Sequence, residues 1–163
     1  MTPIPTGRLR ATATGFDLEI PRTFHADIDD VWASVTESDR TAQWFGAWEG
    51  ESGAGKSIRV QMRFEEGAPW MDMRVDVCAA PRHLALSTSG ESGGWKLELE
   101  LEQSGETTTL VLIQHRSDRE GLGEIGPGWE YYLDNLVASR DGAPLPSFDD
   151  YYPAQQGYYE ALR

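Results

Sequence analysis

Apolar side chains recur along this chain with two different periods, and the places where one gives way to the other divide it into elements. Ile58, Val60, Met62 and Phe64 alternate with Ser57, Arg59, Gln61, Arg63 and Glu65, the period of two that gives a strand one apolar face. Met71, Met73, Val75 and Val77 alternate with Asp72, Arg74 and Asp76, and Trp95, Leu97, Leu99 and Leu101 with Lys96, Glu98, Glu100 and Glu102. A shorter strand is expected at residues 84–88. Setting Phe64 opposite Met71 places Arg63 against Asp72, Arg59 against Asp76 and Met62 against Met73, so cross-strand charges favour that register. Ser104-Gly105 offers a two-residue hairpin turn into a strand over residues 107–115. The turn places Leu99 opposite Leu110 and Leu97 opposite Leu112, leaving Val111, Ile113 and His115 on the other face. Periodicity alone leaves open which face is inward. Apolar residues on both imply a cover over the outer one, either the Tyr-rich tail or a second subunit.

Elsewhere the period is helical. Asp27 precedes Ile28, Val31, Trp32 and Val35, spaced i, i+3, i+4, i+7, so a carboxylate is expected to cap a short amphipathic helix. Thr41, Ala42, Trp44 and Phe45 form a second brief helical turn ended by Gly46. Gly126-Pro127-Gly128 opens the longest helix, which runs through Trp129, Tyr132, Leu133, Leu136, Val137 and Arg140 until Gly142 and Pro144 stop it. Residues 8–14 and 16–24 read as one long bent strand or a hairpin. Tyr151-Tyr152 and Tyr158-Tyr159 flank Pro153 in a tail expected to dock on the domain, with a last short helix near residues 154–162. No repeat or linker divides the chain. The expected organisation is a loose arm (1–7), one domain (8–143) and a docked Tyr-rich extension (144–163).

The 163 residues suffice for a single core. A net charge of −13 makes nucleic acid and anionic membranes poor partners. The longest apolar runs, 77–80 and 110–113, are far short of the ~20 residues a membrane span needs. The first seven residues lack the basic and apolar segments of a secretory leader, and the single cysteine, Cys78, has no internal partner. Together these give a cytoplasmic expectation.

One string carries apparent chemistry. Gly50-Glu51-Ser52-Gly53-Ala54-Gly55-Lys56-Ser57 matches the phosphate-loop pattern at every fixed position. A working phosphate loop needs a helix directly after it, because helix amides hold the phosphate oxygens, and here Ile58 begins a strand. Residues 110–113 also end in Gln114 instead of a metal-binding Asp. A Gly-rich hairpin is the preferred reading. His25, His83 and His115 show no spacing that one helix or hairpin uses for a metal, so neither metal nor cofactor is expected. Cys78, between Val77 and Ala79, reads as a small buried hydrophobe. No catalytic residue is assigned.

Arg22-Thr23-Phe24, Val31-Trp32, Thr36, Trp44-Phe45-Gly46, Gly53-Ala54-Gly55, residues 108–115 and Gly128-Trp129 with Tyr132-Leu133 and Leu136 appear in the order found in the START-like (SRPBCC) superfamily. Within it the chain most resembles the family of homologues of the activator of heat-shock protein 90 ATPase. The resemblance implies an α+β helix-grip fold, in which a curved antiparallel sheet wraps a long C-terminal helix and two short helices lie near the N-terminus. It also implies a cavity for apolar or amphipathic molecules between sheet and helix. The expected lining is Met62, Phe64, Met71, Met73, Trp95 and Leu97 from the sheet and Trp129, Tyr132 and Leu133 from the helix, with His115 as a polar candidate. Binding of a small hydrophobic molecule is the first reading. A co-chaperone-like interaction module or homodimer is the second, and a cyclase-type enzyme the third.

Overall fold

A computed structural model describes residues 3–51, 53–88 and 94–163; Met1, Thr2 and Ser52, which belong to the expected arm and phosphate-loop string, lie outside the described residues. Eight strands form one antiparallel sheet: β1 (Arg8–Ala11), β2 (Phe16–Phe24), β3 (Trp48–Gly50), β4 (Ser57–Gln61), β5 (Trp70–Ala79), β6 (His83–Ser87), β7 (Lys96–Ser104) and β8 (Thr107–Arg116). Their spatial order is β1-β2-β8-β7-β6-β5-β4-β3. Helices α1 (Ile28–Thr36) and α2 (Ser38–Thr41) join β2 to β3, α3 (Leu122–Asp141) follows β8, and α4 (Gln156–Glu160) closes the chain. The sheet curves around α3 as in the helix-grip fold. Leu18, Ile20, Val60, Leu110 and Leu112 of its inner face are buried together with Leu133 and Leu136 of the helix.

Two registers differ from expectation, each by an even number of residues. In the β4/β5 pair Val60 lies opposite Met71, Ile58 opposite Met73 and Arg59 opposite Asp72. The strands part at Gln61, and Met62 N–H donates to the Pro69 carbonyl at 2.8 Å to close a loop. Gly67 and Ala68 turn that loop with positive φ, a conformation that stops the ladder before Phe64 can join it. In the β7/β8 hairpin the turn residues are Gly105-Glu106, so Leu99 meets Leu112 and Leu97 meets Gln114. An even slip preserves which side each residue faces. Leu110, Leu112 and Gln114 face the core, while Val111, Ile113 and His115 lie on the outer face.

Helix α1 begins where the pattern places it, but Asp27 does not cap it. The Ile28 N–H donates instead to Gln103 Oε1 at 3.1 Å, and Gln103 Nε2 donates to Asp27 Oδ1 at 3.2 Å, so the cap comes from the end of β7. Helix α3 starts at Leu122, earlier than the Gly-Pro-Gly triplet, which places Pro127 within the helix. Its first turns are buried under the tail: Tyr159 lies over Gly126 and Glu160 over Gly123, so closely that neither glycine has room for a Cβ. The tail therefore covers α3 and not the outer face of the sheet. It also meets the N-terminal arm, where Tyr158 Oη donates to the Gly7 carbonyl at 2.7 Å and Thr6 donates from Oγ1 to Glu130 Oε1 at 2.7 Å. Arg22 joins these parts, donating to Glu130 Oε1 at 3.0 Å and Asp134 Oδ1 at 2.9 Å on α3.

Candidate functional site

A cavity of about 110 Å³ lies between the sheet, α1, the turn after α2, and the face of α3 that carries Trp129. Ile58, Val60, Met73, Leu84, Leu97 and Leu112 form its sheet wall. Val35, Trp44, Phe45 and Trp48 close it from the side. The indoles carry polar N–H groups, but each is already engaged. Trp44 Nε1 donates to the Ser34 carbonyl at 2.9 Å, Trp48 Nε1 to the Thr36 carbonyl at 2.8 Å, and Trp129 Nε1 to Gln114 Oε1 at 2.6 Å. The Thr41 hydroxyl donates to the Gly46 carbonyl at 2.7 Å. What faces the cavity is almost entirely carbon: Glu98 is among the lining residues, but its carboxylate is held by His83 and His115, and among the described residues the lining contains no Lys, Arg or His. Such a surface selects by shape and burial.

Of the residues expected here, Met73, Leu97 and Trp129 line the cavity. Phe64, Trp95 and Tyr132 stand behind that wall: Trp95 meets Trp129 edge-on at 5.3 Å, and Tyr132 packs against both Phe45, at 5.1 Å, and Phe64, at 6.4 Å. Burial, and then the nearby Glu65 carboxylate, raise the Tyr132 phenol well above its ordinary pKa. Met62 and Leu133 belong to the core and Met71 is half-buried. Phe45 and Trp48 also line it, beyond the residues expected. Their signal was the aromatic density of Trp44-Phe45-Gly46-Ala47-Trp48, read only as the end of a helix.

Cys78 is exposed at the cavity's edge and is not a buried hydrophobe. A bulge between Val75 and Val77 reverses the alternation of β5, so Cys78 sits opposite Leu84 on the cavity side. The described residues of the phosphate-loop string run from the end of β3 into β4, with Ser57 opening that strand directly after Lys56. Lys56 pairs with Glu51 at 3.3 Å.

His115 lies on the opposite side of the sheet from the cavity. Its Nδ1 meets Asp17 Oδ1 at 2.6 Å and its Nε2 hydrogen-bonds Glu98, whose other oxygen meets His83 Nε2 at 2.5 Å. Partial burial works against the imidazolium, but the hydrogen bonds to Asp17 and Glu98 outweigh it and raise the His115 pKa above its ordinary value. Burial likewise opposes ionisation of Glu98, and hydrogen bonds from His83 and His115 outweigh it, lowering the carboxyl.

Among the described residues no helix is long and apolar enough to cross a membrane. The chain resembles CalU16 from Micromonospora echinospora with a TM-score of 0.79 and 25% identity, over 98% of this chain and 96% of that one. DynU16, a protein of the dynemicin biosynthetic locus, matches with a TM-score of 0.68 and 25% identity over 84% of this chain and 50% of that one. The Aha1 dimer from Colwellia psychrerythraea shares the fold, with a TM-score of 0.62 and 14% identity over 76% and 94% of the respective chains. No curated protein sequence is significantly similar. The family model described as Activator of Hsp90 ATPase homolog 1-like protein matches residues 25–139. With that match spanning β8, both N-terminal helices and most of α3, the chain belongs to the Activator of Hsp90 ATPase homolog 1-like family.

Proposed function

We propose that the chain binds a compact apolar molecule, an aromatic of one or two rings, in the cavity between the sheet and α3. One observation carries this reading: the lining is carbon because every indole N–H that reaches it is bonded to the protein. An apolar cavity of about 150 Å³ is enough to hold benzene, and this one, about 110 Å³ and open at the Cys78 edge, is of that order. A larger ligand must extend through the mouth. With no cation among the described residues of the lining, a fatty-acid carboxylate would have to remain in solvent.

The cyclase-type reading needs an acid or base inside the cavity. His115 lies on the other face, and the Glu98 carboxylate is engaged there by both histidines. The co-chaperone-like reading rests on the acidic outer face or the Tyr-rich tail, and in that tail Tyr151 and Tyr159 are fully buried against the chain itself while Tyr158 is exposed. Binding without chemistry fits the geometry best. Iodobenzene tests it, because an iodinated ring held against Trp44, Trp48 and Trp129 quenches their emission. Saturable quenching, unaffected by excess palmitate, is the expected result. A purely linear, collisional response, equal to that of free tryptophan, would refute it.

A further inference from the structure

We propose that the outer face of the sheet carries a divalent-metal site, with His83 Nε2, Glu98 and Glu100 as ligands and zinc as the ion that fits them. Strand pairing builds the constellation. Glu98 and Glu100 are two apart on β7 and share a face, and His83 on β6 lies directly opposite Glu100. One donor atom from each of the three lies within 4.8 Å of the other two, and His83 Nε2 is already 2.5 Å from Glu98 Oε1. A tetrahedral zinc site separates its donors by about 3.3 Å. Binding requires the donors to adjust to that spacing, and His83 and Glu98, whose side chains are 33% and 25% exposed, are not fully enclosed. One imidazole with two carboxylates is a nitrogen and oxygen set of the kind zinc takes, whereas magnesium and calcium prefer oxygen alone.

What surrounds the three supports the assignment independently of their proximity. The second oxygen of Glu98 is held by His115, whose other nitrogen meets Asp17, and Asp17 in turn accepts from Arg10 at 2.9 Å. Asp17 is only 5% exposed. Outer-sphere hydrogen bonds of this kind orient a ligating carboxylate. Charge is unbalanced as well: Asp17, Glu19, Glu98, Glu100 and Glu102 outnumber the guanidinium groups of Arg8, Arg10 and Arg82 nearby, and Glu100 takes part in no ion pair among the described residues. A shallow depression beside the ligands, bounded by Arg82, Glu102, Thr109 and Val111, leaves the remaining coordination positions open to water or a small anion. Sequence spacing could not show this, because His83 lies on a different strand from the two glutamates and stands fifteen residues from Glu98. Glu98 is also among the residues that line the cavity, but its carboxylate is held by the histidines on the other side of the sheet, so either proposal can fail alone.

The test is calorimetric titration of the chelator-treated full chain with zinc, together with cobalt substitution read by its visible absorption. One equivalent should bind, and His83→Ala and Glu100→Gln should each weaken affinity at least tenfold, while His25→Ala, at an exposed histidine paired only with Glu106, leaves it unchanged. The His83 imidazole resonances of the unaltered chain, followed by NMR, provide a reading that needs no variant: zinc should fix Nε2 as the metal-bound nitrogen. No heat and no cobalt absorption would overturn the proposal, as would affinity that stays within a factor of two in both variants or His83 resonances that ignore zinc.

Discussion

Gln114 shows how much one side chain can decide. It is 1% exposed on the inner face of β8, and its Oε1 is the acceptor that occupies the Trp129 indole N–H. Gln114→Leu removes that acceptor and leaves a buried donor without a partner, which costs about 2 kcal/mol; a urea midpoint lowered accordingly is the expected outcome, and an unchanged one would mean that water reaches the indole. Three phenols make a second residue-scale case. Tyr132, Tyr151 and Tyr159 have pKa values raised first by burial and then by the Glu65 carboxylate, by the hydrogen bond to Asp134, and by the Glu130 carboxylate respectively. A folded pKa above the unfolded value of about 10 gives stability that is complete below that pH and lost as pH rises above it. In an alkaline titration part of the phenolate absorbance should therefore appear together with loss of near-ultraviolet dichroism. All six tyrosines ionising in an intact fold would contradict this. Gln114 could not be assigned from sequence, because the residues flanking it on β8 leave both faces apolar until the partner strands are known.

At the scale of elements, α3 and its cover make a sharper prediction. Gly126 and Gly128 sit in the same helix, where Gly→Ala ordinarily gains up to about 1 kcal/mol. A Cβ on Gly128 meets nothing within 4 Å, whereas one on Gly126 would lie 2.3 Å from ring carbons of Tyr159, which is fully buried and cannot step aside. Gly128→Ala should raise the melting temperature, and Gly126→Ala should destabilise by about 1–3 kcal/mol through overpacking. Equal effects at the two sites would show that α4 is not seated as described. Strand identity and facing were legible, since Ile58, Val60, Leu97 and Leu99 face inward as their alternation requires. Registers were not, because charge pairing of Arg59 works as well with Asp72 as with Asp76, and the choice is made by the loop through Gly67 and Ala68. The start of α3 was hidden by the same logic: Gly123 and Gly126 look like helix breakers until Tyr159 and Glu160 are placed over them.

On the scale of the whole molecule, the sheet separates two chemistries. Its inner face is carbon around a cavity; its outer face runs Arg10, Asp17, His115, Glu98 and His83 in an unbroken line of polar contacts across β1, β2, β8, β7 and β6. The helix-grip architecture could be read from the order of elements, whereas this line could not, since its members come from five strands and only pairing aligns them. The cavity is the centre of the functional account, and its methionines report on it directly. Met73 lines the cavity while Met62, equally buried, does not. With methionine methyl groups labelled with carbon-13 and toluene added to saturation, the account predicts nuclear Overhauser contacts from the toluene ring to the Met73 methyl and none to that of Met62. Toluene that binds while touching neither Met73 nor Trp129, or that leaves every methyl resonance unmoved, would contradict it.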